Sequence, residues 1–345
     1  MSRIPCRVHL FSPYKVFFKR KGETRMKKLL CALLALLLLC GTALAETPRE
    51  IFPLPYDSLP EAQEGQHHYL MACVDNWQGN AKRLGNTDGV LLVTLDTKNH
   101  RLLFTTFSRE MLIKRPDGGI GRFTYIAKNY GPEALCEIVS THFGVKVDKY
   151  IVFSMDNVQT IIDTMGGVDI TVTDAEADYL NRYRISRDST KPSMDKAGTY
   201  LFGGHAAVIY MRIRKVGNEG DAGRTRRIRT VLSTLAGKYA NASLADAMQI
   251  ISDVSSNIVV TNLSMADFLE AAGYAMELRG VDPEGIQMPP NKAMQSINYA
   301  GMATRQVDFE MAREELSQFL GTRMPDRAIA DQTGYEVEDS DETAE

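Results

Sequence analysis

Several kinds of chemistry are missing from this sequence. Neither C-x-x-C nor H-E-x-x-H occurs in its 345 residues, which removes the common zinc-site spacings. No Gly-x-Ser-x-Gly surrounds Ser108 or Ser154, so the strained nucleophile turn of a serine hydrolase is unsupported. Cysteine is scarce: there are five, and only Cys73 and Cys136 lie beyond residue 45. Both sit in apolar patterns, Leu70 to Val74 and Ala134 to Val139, so two buried thiols are the plainer expectation. A disulfide is the alternative that export would allow. No internal repeat is visible. Global disorder is excluded by a hydrophobic content of 44% and a charged content of 24%, which are ordinary for a globular chain.

The first 45 residues read as a leader. Met26-Lys27-Lys28 opens a positive segment, Leu29 to Cys40 is a twelve-residue apolar run, and Ala43-Leu44-Ala45 supplies the small residues of a signal-peptidase site. The run is shorter than the ~20 residues of a bilayer-spanning helix, so cleavage after Ala45 is expected. Retention as a signal anchor, lengthened by Gly41 to Ala45, is the alternative, and translation starting at Met26 would explain the featureless first 25 residues. Leu37-Leu38-Leu39 puts no small residue before Cys40, which argues against a lipoprotein. The chain is therefore expected in the cell envelope or outside the cell. Of 40 Lys+Arg and 43 Asp+Glu, nine basic residues and one acidic residue belong to the leader, so the remainder carries a net charge of −11. A dense basic cluster in so acidic a chain needs an anionic reason.

Residues 46–66 hold Pro48, Pro53, Pro55 and Pro60 and read as a linker. The folded domain is expected over 67–322, and an acidic, disordered tail over 323–345. Tyr69 to Val74, Gly89 to Leu95, Leu102 to Phe107, Tyr150 to Phe153 and Val168 to Val172 have strand character. Helical spacing appears at Pro132 to Phe143 (with Gly144 as its cap), Asn157 to Met165, Ala206 to Met211, Arg224 to Tyr239, Leu244 to Ile251 and Met265 to Met276. Residues 180–197 read as a surface loop and Pro283 to Pro290 as a Pro-rich connection. Gln306 to Phe309 is the expected last strand and Met311 to Phe319 the last helix. This alternation implies an α/β sheet covered by helices on both faces.

The most informative stretch runs from Arg212 to Arg229, with seven cations and two anions. Arg212 and Arg214 end a helical run, Gly217, Gly220 and Gly223 make the next segment a flexible loop, and Arg224 and Arg227 share a face of the following helix. Arginine forks match phosphate oxygens in pairs, and a helix start adds backbone donors, so the pattern suits a pyrophosphate. The bland alternative is a solvated arginine-rich helix face. Nucleic acid is disfavoured by the leader and the acidic remainder. Arg109 follows a strand at its C-terminal end, where α/β sheets place ligands. Asp75 holds the equivalent place after Tyr69 to Val74, and Asp88 lies just before Gly89 to Leu95. Carboxylates converging on a phosphate are bridged by Mg²⁺ or Mn²⁺, although an aspartate at a strand end is more often a turn residue or a cap. His67 and His68 point to opposite faces of a strand, and His142 and His205 have no partner at catalytic spacing. The apolar faces of Leu135 to Val139 and Val158 to Ile162 suit either the core or a lipid tunnel.

An ordered set of motifs resembles the LytR-CpsA-Psr family from about His68 to Gly321. It comprises Asp148 through Gly166-Gly167-Val168, then Ala197-Gly198, Gly204-His-Ala-Ala207, Tyr210-Met-Arg-Ile-Arg214, Gly220-Asp-Ala-Gly-Arg-Thr-Arg-Arg227, and Val307-Asp-Phe-Glu310 with Leu316 to Leu320. The resemblance implies one α-β-α domain around a central mixed β-sheet. It also implies a phosphotransferase that moves polyprenyl-(pyro)phosphate-linked glycopolymer to peptidoglycan at the outer membrane surface, with the prenyl tail in a tunnel beside the sheet. It assigns Asp75 and Asp88 to the metal, and Arg109, Arg212, Arg214, Arg224 and Arg227 to the pyrophosphate. Asp221, as a loop aspartate, and Arg109 take the catalytic roles, Asp221 as a base or as an orienter of the arginines. Three departures stand out. Asn86 occupies a place usually held by arginine, with Arg83 near but out of register. Ser108-Arg109-Glu110 replaces Pro-Arg-Asp, and Ile228 replaces a glutamine. They leave two other readings open: a hydrolase of prenyl pyrophosphates, and a non-catalytic prenyl-phosphate binder.

Overall fold

The computed structural model describes residues 47–76, 82–183, 185 and 192–323. The leader, the start at Met26 and the tail from residue 324 lie outside the described residues. Among those described, no helix is long and apolar enough to cross a membrane.

The strands are β1 (Gln66–Val74), β2 (Thr87–Asp96), β3 (Arg101–Phe107), β4 (Leu112–Lys114), β5 (Ile120–Arg122) and β6 (Tyr150–Ser154). They continue as β7 (Val168–Val172), β8 (Gly198–Phe202), β9 (Val260–Thr261), β10 (Glu284–Met288), β11 (Met294–Tyr299) and β12 (Met302–Val307). The helices are α1 (Ile126–Tyr130), α2 (Pro132–Phe143), α3 (Met155–Thr164), α4 (Asp174–Leu180) and α5 (Gly204–Met211). After them come α6 (Gly220–Lys238), α7 (Leu244–Ser255), α8 (Met265–Glu277) and α9 (Phe309–Leu320).

Six strands form the central sheet in the order β10-β3-β2-β1-β6-β9. β1/β2, β2/β3 and β6/β9 run antiparallel, and β1/β6 and β10/β3 parallel, so the sheet is mixed. Period-two alternation sends successive side chains to opposite faces. Leu70, Ala72 and Val74 of β1 join Leu135, Val139, Phe143 and Leu316 of α2 and α9 on one face. Tyr69, Leu91, Val93 and Phe153 pack on the other face with Ile161, Leu232 and Phe268 of α3, α6 and α8. A smaller core lies between hairpin β7–β8 and α4, α5 and α6. Both faces of the sheet are covered, and the described residues form one unit.

The sequence patterns locate most elements, and local chemistry explains the displaced boundaries. α2 spans the expected residues and ends at Gly144 with φ 74°. α3 starts two residues before Asn157 because Ser154 and Asn157 form a reciprocal capping box, which satisfies two orphan backbone donors. Gly204 opens α5 against α3, where a Cβ would collide with the backbone of Gln159. The stretch Pro283 to Pro290 is not a simple connection: it contains β10, whose residues pair with β3 from Glu284↔Leu103 to Met288↔Phe107. Its prolines flank the strand, so every ladder donor survives.

The reading of 46–66 as a linker is corrected for the described part. Ile51, Leu54 and Leu59 are buried, the Leu54 amide donates to the Thr141 carbonyl at 2.9 Å, and the Arg49 amide donates to Gln306 at 3.1 Å. Prolines spaced this way fit an extended chain laid against α2 as well as a free tether, and the apolar residues between them decide for docking.

Candidate functional site

Asp88 is the hub of the site. The β1/β2 register passes from Val74↔Thr87 to Cys73↔Gly89 and skips Asp88, so Asp88 is a bulge residue inside β2 rather than a residue before it. A bulge bends the strand and re-aims one side chain. Here it presents a carboxylate that is 8% exposed to three arginines. Arg109, just beyond β3, donates from Nη1 to Asp88 Oδ1. Arg212, at the end of α5, places Nη2 3.1 Å from Asp88 Oδ2. Arg224, in α6, places Nη1 3.6 Å from Asp88 Oδ1.

A second carboxylate closes the cluster. Asp221 Oδ1 lies 2.8 Å from Arg224 Nη2 and 3.7 Å from Arg109 Nε, while its Oδ2 accepts from Ser108 Oγ at 2.9 Å. The segment from Gly217 to Gly223 is not all loop: α6 begins at Gly220, and Asp221 stands in its first turn, where a negative charge complements the helix dipole. Gly223 is needed here, because a Cβ would come within 2.6 Å of Glu219 Cβ and 2.9 Å of Arg227 Nη1.

Three guanidinium groups meet two carboxylates, and the hydrogen bonding is incomplete. Arg109 Nε, Arg224 Nε, Arg224 Nη2 and Asp221 Oδ1 are buried without a hydrogen-bond partner; the 2.8 Å approach of Nη2 to Asp221 is an ion pair without hydrogen-bond alignment. Burial pushes the Arg224 guanidinium below its ordinary value, with Asp221 opposing the shift. Buried cationic donors left unsatisfied cost several kcal/mol unless an anion meets them. The arrangement is suited to a phosphate.

Two of the expected phosphate arginines stand elsewhere. Arg214 donates to Glu110, which also lies 4.0 Å from Arg122, so Arg214 borders the cluster without touching Asp88. Arg227 is corrected. It is 1% exposed and pairs through Nε with Glu176 at 2.7 Å, through Nη1 with the Ile213 carbonyl at 3.2 Å and through Nη2 with Glu219 at 3.3 Å. Its guanidinium also lies 5.9 Å over the Tyr210 ring. All three nitrogens serve the fold, joining α6 to α4 and to the chain after α5.

Asp75 follows β1, and both its oxygens are held by Asn86: Oδ1 by the amide at 2.8 Å and Oδ2 by Nδ2 at 2.9 Å. Asn86 therefore orients Asp75 where an arginine was expected, and the Arg83 carbonyl only accepts from Asn76 at 3.4 Å. Among the described residues no group of three or more His, Cys, Asp or Glu could hold a metal. Two carboxylates do suit Mg²⁺, which is commonly held by one or two of them together with waters and substrate phosphates. The donor set fits a site completed by substrate.

An apolar cavity of about 290 Å³ adjoins the cluster. Asp88, Arg212 and Arg224 border it, and Met71, Phe153, Val158, Met211, Ile228 and Leu232 are among its walls. Ile228, the departure from glutamine, therefore adds apolar wall. Val158, Ile161 and Ile162 line this cavity, whereas Leu135, Ile138 and Val139 belong to the core on the other face of the sheet. Cys73 lines it too and is a free thiol, as is Cys136; burial pushes the Cys73 thiol up to about 12. His67 stacks on Tyr274 at 3.7 Å and His68 pairs with Thr94 at 2.8 Å, on opposite faces of β1. Sequence reasoning missed Ser108 as the partner of Asp221, since 113 positions separate them.

The model of the LytR_cpsA_psr family matches residues 52–318. The polyisoprenyl-teichoic acid–peptidoglycan teichoic acid transferase TagV of Bacillus subtilis is 27% identical over 54% of this chain and 47% of its own length. The biofilm regulatory protein A of Streptococcus mutans is 26% identical over 64% of this chain and 56% of its own. The chain thus spans about half the length of these curated relatives. The crystal structure of B. subtilis TagV superposes with a TM-score of 0.60 at 20% identity, covering 76% of this chain and 99% of that one. TagT bound to LI-WTA gives 0.58 at 20% identity, over 81% and 98%. These structures share the fold. The chain belongs to the LytR-CpsA-Psr family.

Proposed function

We propose that this protein is a phosphotransferase that moves a glycosyl phosphate from a polyprenyl-(pyro)phosphate-linked glycopolymer to a hydroxyl of peptidoglycan, outside the cytoplasmic membrane after export. The observation that carries this reading is a cluster of buried guanidinium donors lacking hydrogen-bond partners, set at the border of an apolar cavity. A sugar nucleotide would use the first feature alone and a neutral lipid the second; a prenyl diphosphate uses both. The name of the TagV relative carries the same substrate pair, a polyisoprenyl-linked polymer and peptidoglycan.

In this reading Arg109, Arg212 and Arg224 hold the diphosphate, and Asp88 yields part of its pairing with them as the ligand enters. Asp75 and Asp88 would hold Mg²⁺ or Mn²⁺, which when bound would neutralise phosphate charge. Arg214, drawn to Glu110, stands in reserve beside Arg109. Asp221, with Oδ2 fixed by Ser108, offers Oδ1 to the proton of the acceptor hydroxyl. Positioning and charge neutralisation account for most of the barrier reduction, as in other phosphoryl transfers.

The test combines the purified protein with a polyprenyl-pyrophosphate-linked saccharide, Mg²⁺ and peptidoglycan. Saccharide joined to wall material is expected. Free phosphate as the only product would make the protein a hydrolase, and tight binding without turnover would make it a binder.

A further inference from the structure

Helix α6 separates two spaces of opposite character. Arg224, Ile228, Val231 and Leu235 recur at helical spacing on one stripe and border the apolar cavity. Ala222, Arg226 and Arg229 lie on the opposite stripe and border a polar groove of about 830 Å³. This groove reaches Ser108 and Asp221 and is further lined by Gln287, Asn291 and Arg305. Its volume lies within the ~300–1,000 Å³ range of ligand sites. Its lining includes amides and guanidinium groups, the donors that recognise hydroxyls and carboxylates. Beside them stand the carboxylates of Asp221, Glu219 and Glu315, of which Glu219 is paired with Arg226 and Glu315 with Lys292. Thr225 Oγ1 donates to Gln287 Oε1 at 2.6 Å, which leaves the Gln287 NH2 as the donor for a ligand. Arg229 is committed to Thr106 and to the Ile286 carbonyl. The Arg305 guanidinium bonds the Ser296 hydroxyl and makes no ion pair among the described residues.

We propose that this groove is the acceptor subsite, and that it takes a hydroxyl-bearing saccharide carrying carboxylate groups, with Arg305 meeting a carboxylate. The proposal rests on the transferase reading above and adds where the acceptor sits. In-line displacement places the attacking and leaving oxygens on opposite sides of phosphorus. With the prenyl tail in the cavity, the lipid phosphate leaves on that side of α6, and the acceptor enters from the groove. The acceptor oxygen forms a bond to the sugar-side phosphorus, the bridging P–O bond breaks with its electron pair going to the lipid monophosphate, and the hydroxyl proton passes to Asp221 Oδ1. That oxygen is buried and has no hydrogen-bond partner, and Asp221 lines the groove.

The test measures binding of a soluble muramic-acid-containing glycan oligomer to the protein and to Arg305→Ala and Arg226→Ala, alongside farnesyl diphosphate as a probe of the phosphate site and thermal melting as a probe of the fold. A tenfold or greater loss of glycan affinity in Arg305→Ala, a smaller loss in Arg226→Ala, and partial recovery in Arg305→Lys are expected, with farnesyl diphosphate still bound. Unchanged glycan affinity in both alanine variants would overturn the proposal. So would a selective loss of affinity for a saccharide-bearing prenyl diphosphate, because the groove would then hold the donor's own polymer. Failure of the wild type to bind farnesyl diphosphate would instead refute the transferase reading, so the two failures are distinguishable.

Discussion

Replacing Arg212 with alanine is the cleanest probe of the phosphate site. Its side chain is 45% exposed and meets Asp88 at 3.1 Å, while Asp88 keeps Arg109 and Arg224. An ion pair this exposed contributes at most about 1 kcal/mol to stability, so the fold and its melting temperature should hardly change. Binding is a different matter. A charge-assisted hydrogen bond to phosphate is worth roughly 1.5–3 kcal/mol, which corresponds to about a ten- to hundredfold rise in Kd. Isothermal titration with farnesyl diphosphate, with Mg²⁺ present, measures this directly. A Kd within twofold of wild type, at an unchanged melting temperature, would refute the assignment of Arg212 to the phosphate. Arg224 is a poorer probe because it is 3% exposed and its removal leaves Asp88 and Asp221 undercompensated.

Arg227→Ala should behave in the opposite way. It strips Glu176, 4% exposed, of its cation, and breaking a buried pair costs about 3–5 kcal/mol; calorimetry should show a melting temperature lower by about 10 °C, and a melt like wild type would refute the structural role. Ile228→Trp fills the apolar cavity beside the arginines. Farnesyl diphosphate should then bind no better than inorganic pyrophosphate, and a preserved preference for the prenyl chain would refute the tail site. Acid should destabilise the fold through two buried imidazoles. Burial lowers His142 to about 3 and His68 to about 4, both from 6.5. The unfolded chain therefore binds the extra protons below 6.5, and stability present above that value is lost as the pH falls toward the folded values. At pH 5 each contributes about 2 kcal/mol of loss, so melting temperature should fall between pH 7 and 5, and a flat profile would refute this.

The central sheet was legible because each strand alternates apolar residues between two faces, as Tyr69, Leu70, Ala72 and Val74 do. β10 was not legible: five residues between prolines have too little pattern, and only pairing with β3 makes them a strand. The arginine cluster was visible as an excess of charge in an acidic chain, and three of its members do meet at Asp88. Arg227 shows the limit of that argument. Charge and helical spacing put it beside Arg224, but its partner Glu176 is 51 residues away, in the first turn of α4, and no local pattern announces it.

The departures at Asn86, Ser108 and Glu110 share a physical consequence. Asn86 gives up a positive charge yet holds both oxygens of Asp75. Ser108, where proline was expected, supplies a hydroxyl that fixes Asp221 Oδ2, a bond that proline cannot make. Glu110 is one methylene longer than the aspartate it replaces, and it engages Arg214 while lying 4.0 Å from Arg122. Each of these changes tightens the placement of a charged group, and those at Asn86 and Glu110 also lower the number of cationic donors left for the ligand. Preorganised groups spend less on reordering when charge develops, whereas fewer free cations weaken ground-state binding. Restoring the arginine with Asn86→Arg should therefore tighten prenyl-diphosphate binding and slow transfer, because Asp75 loses the side-chain amide that orients it. Tighter binding with faster transfer would mean that Asn86 is only a lost donor, and that the ordering of Asp75 contributes nothing.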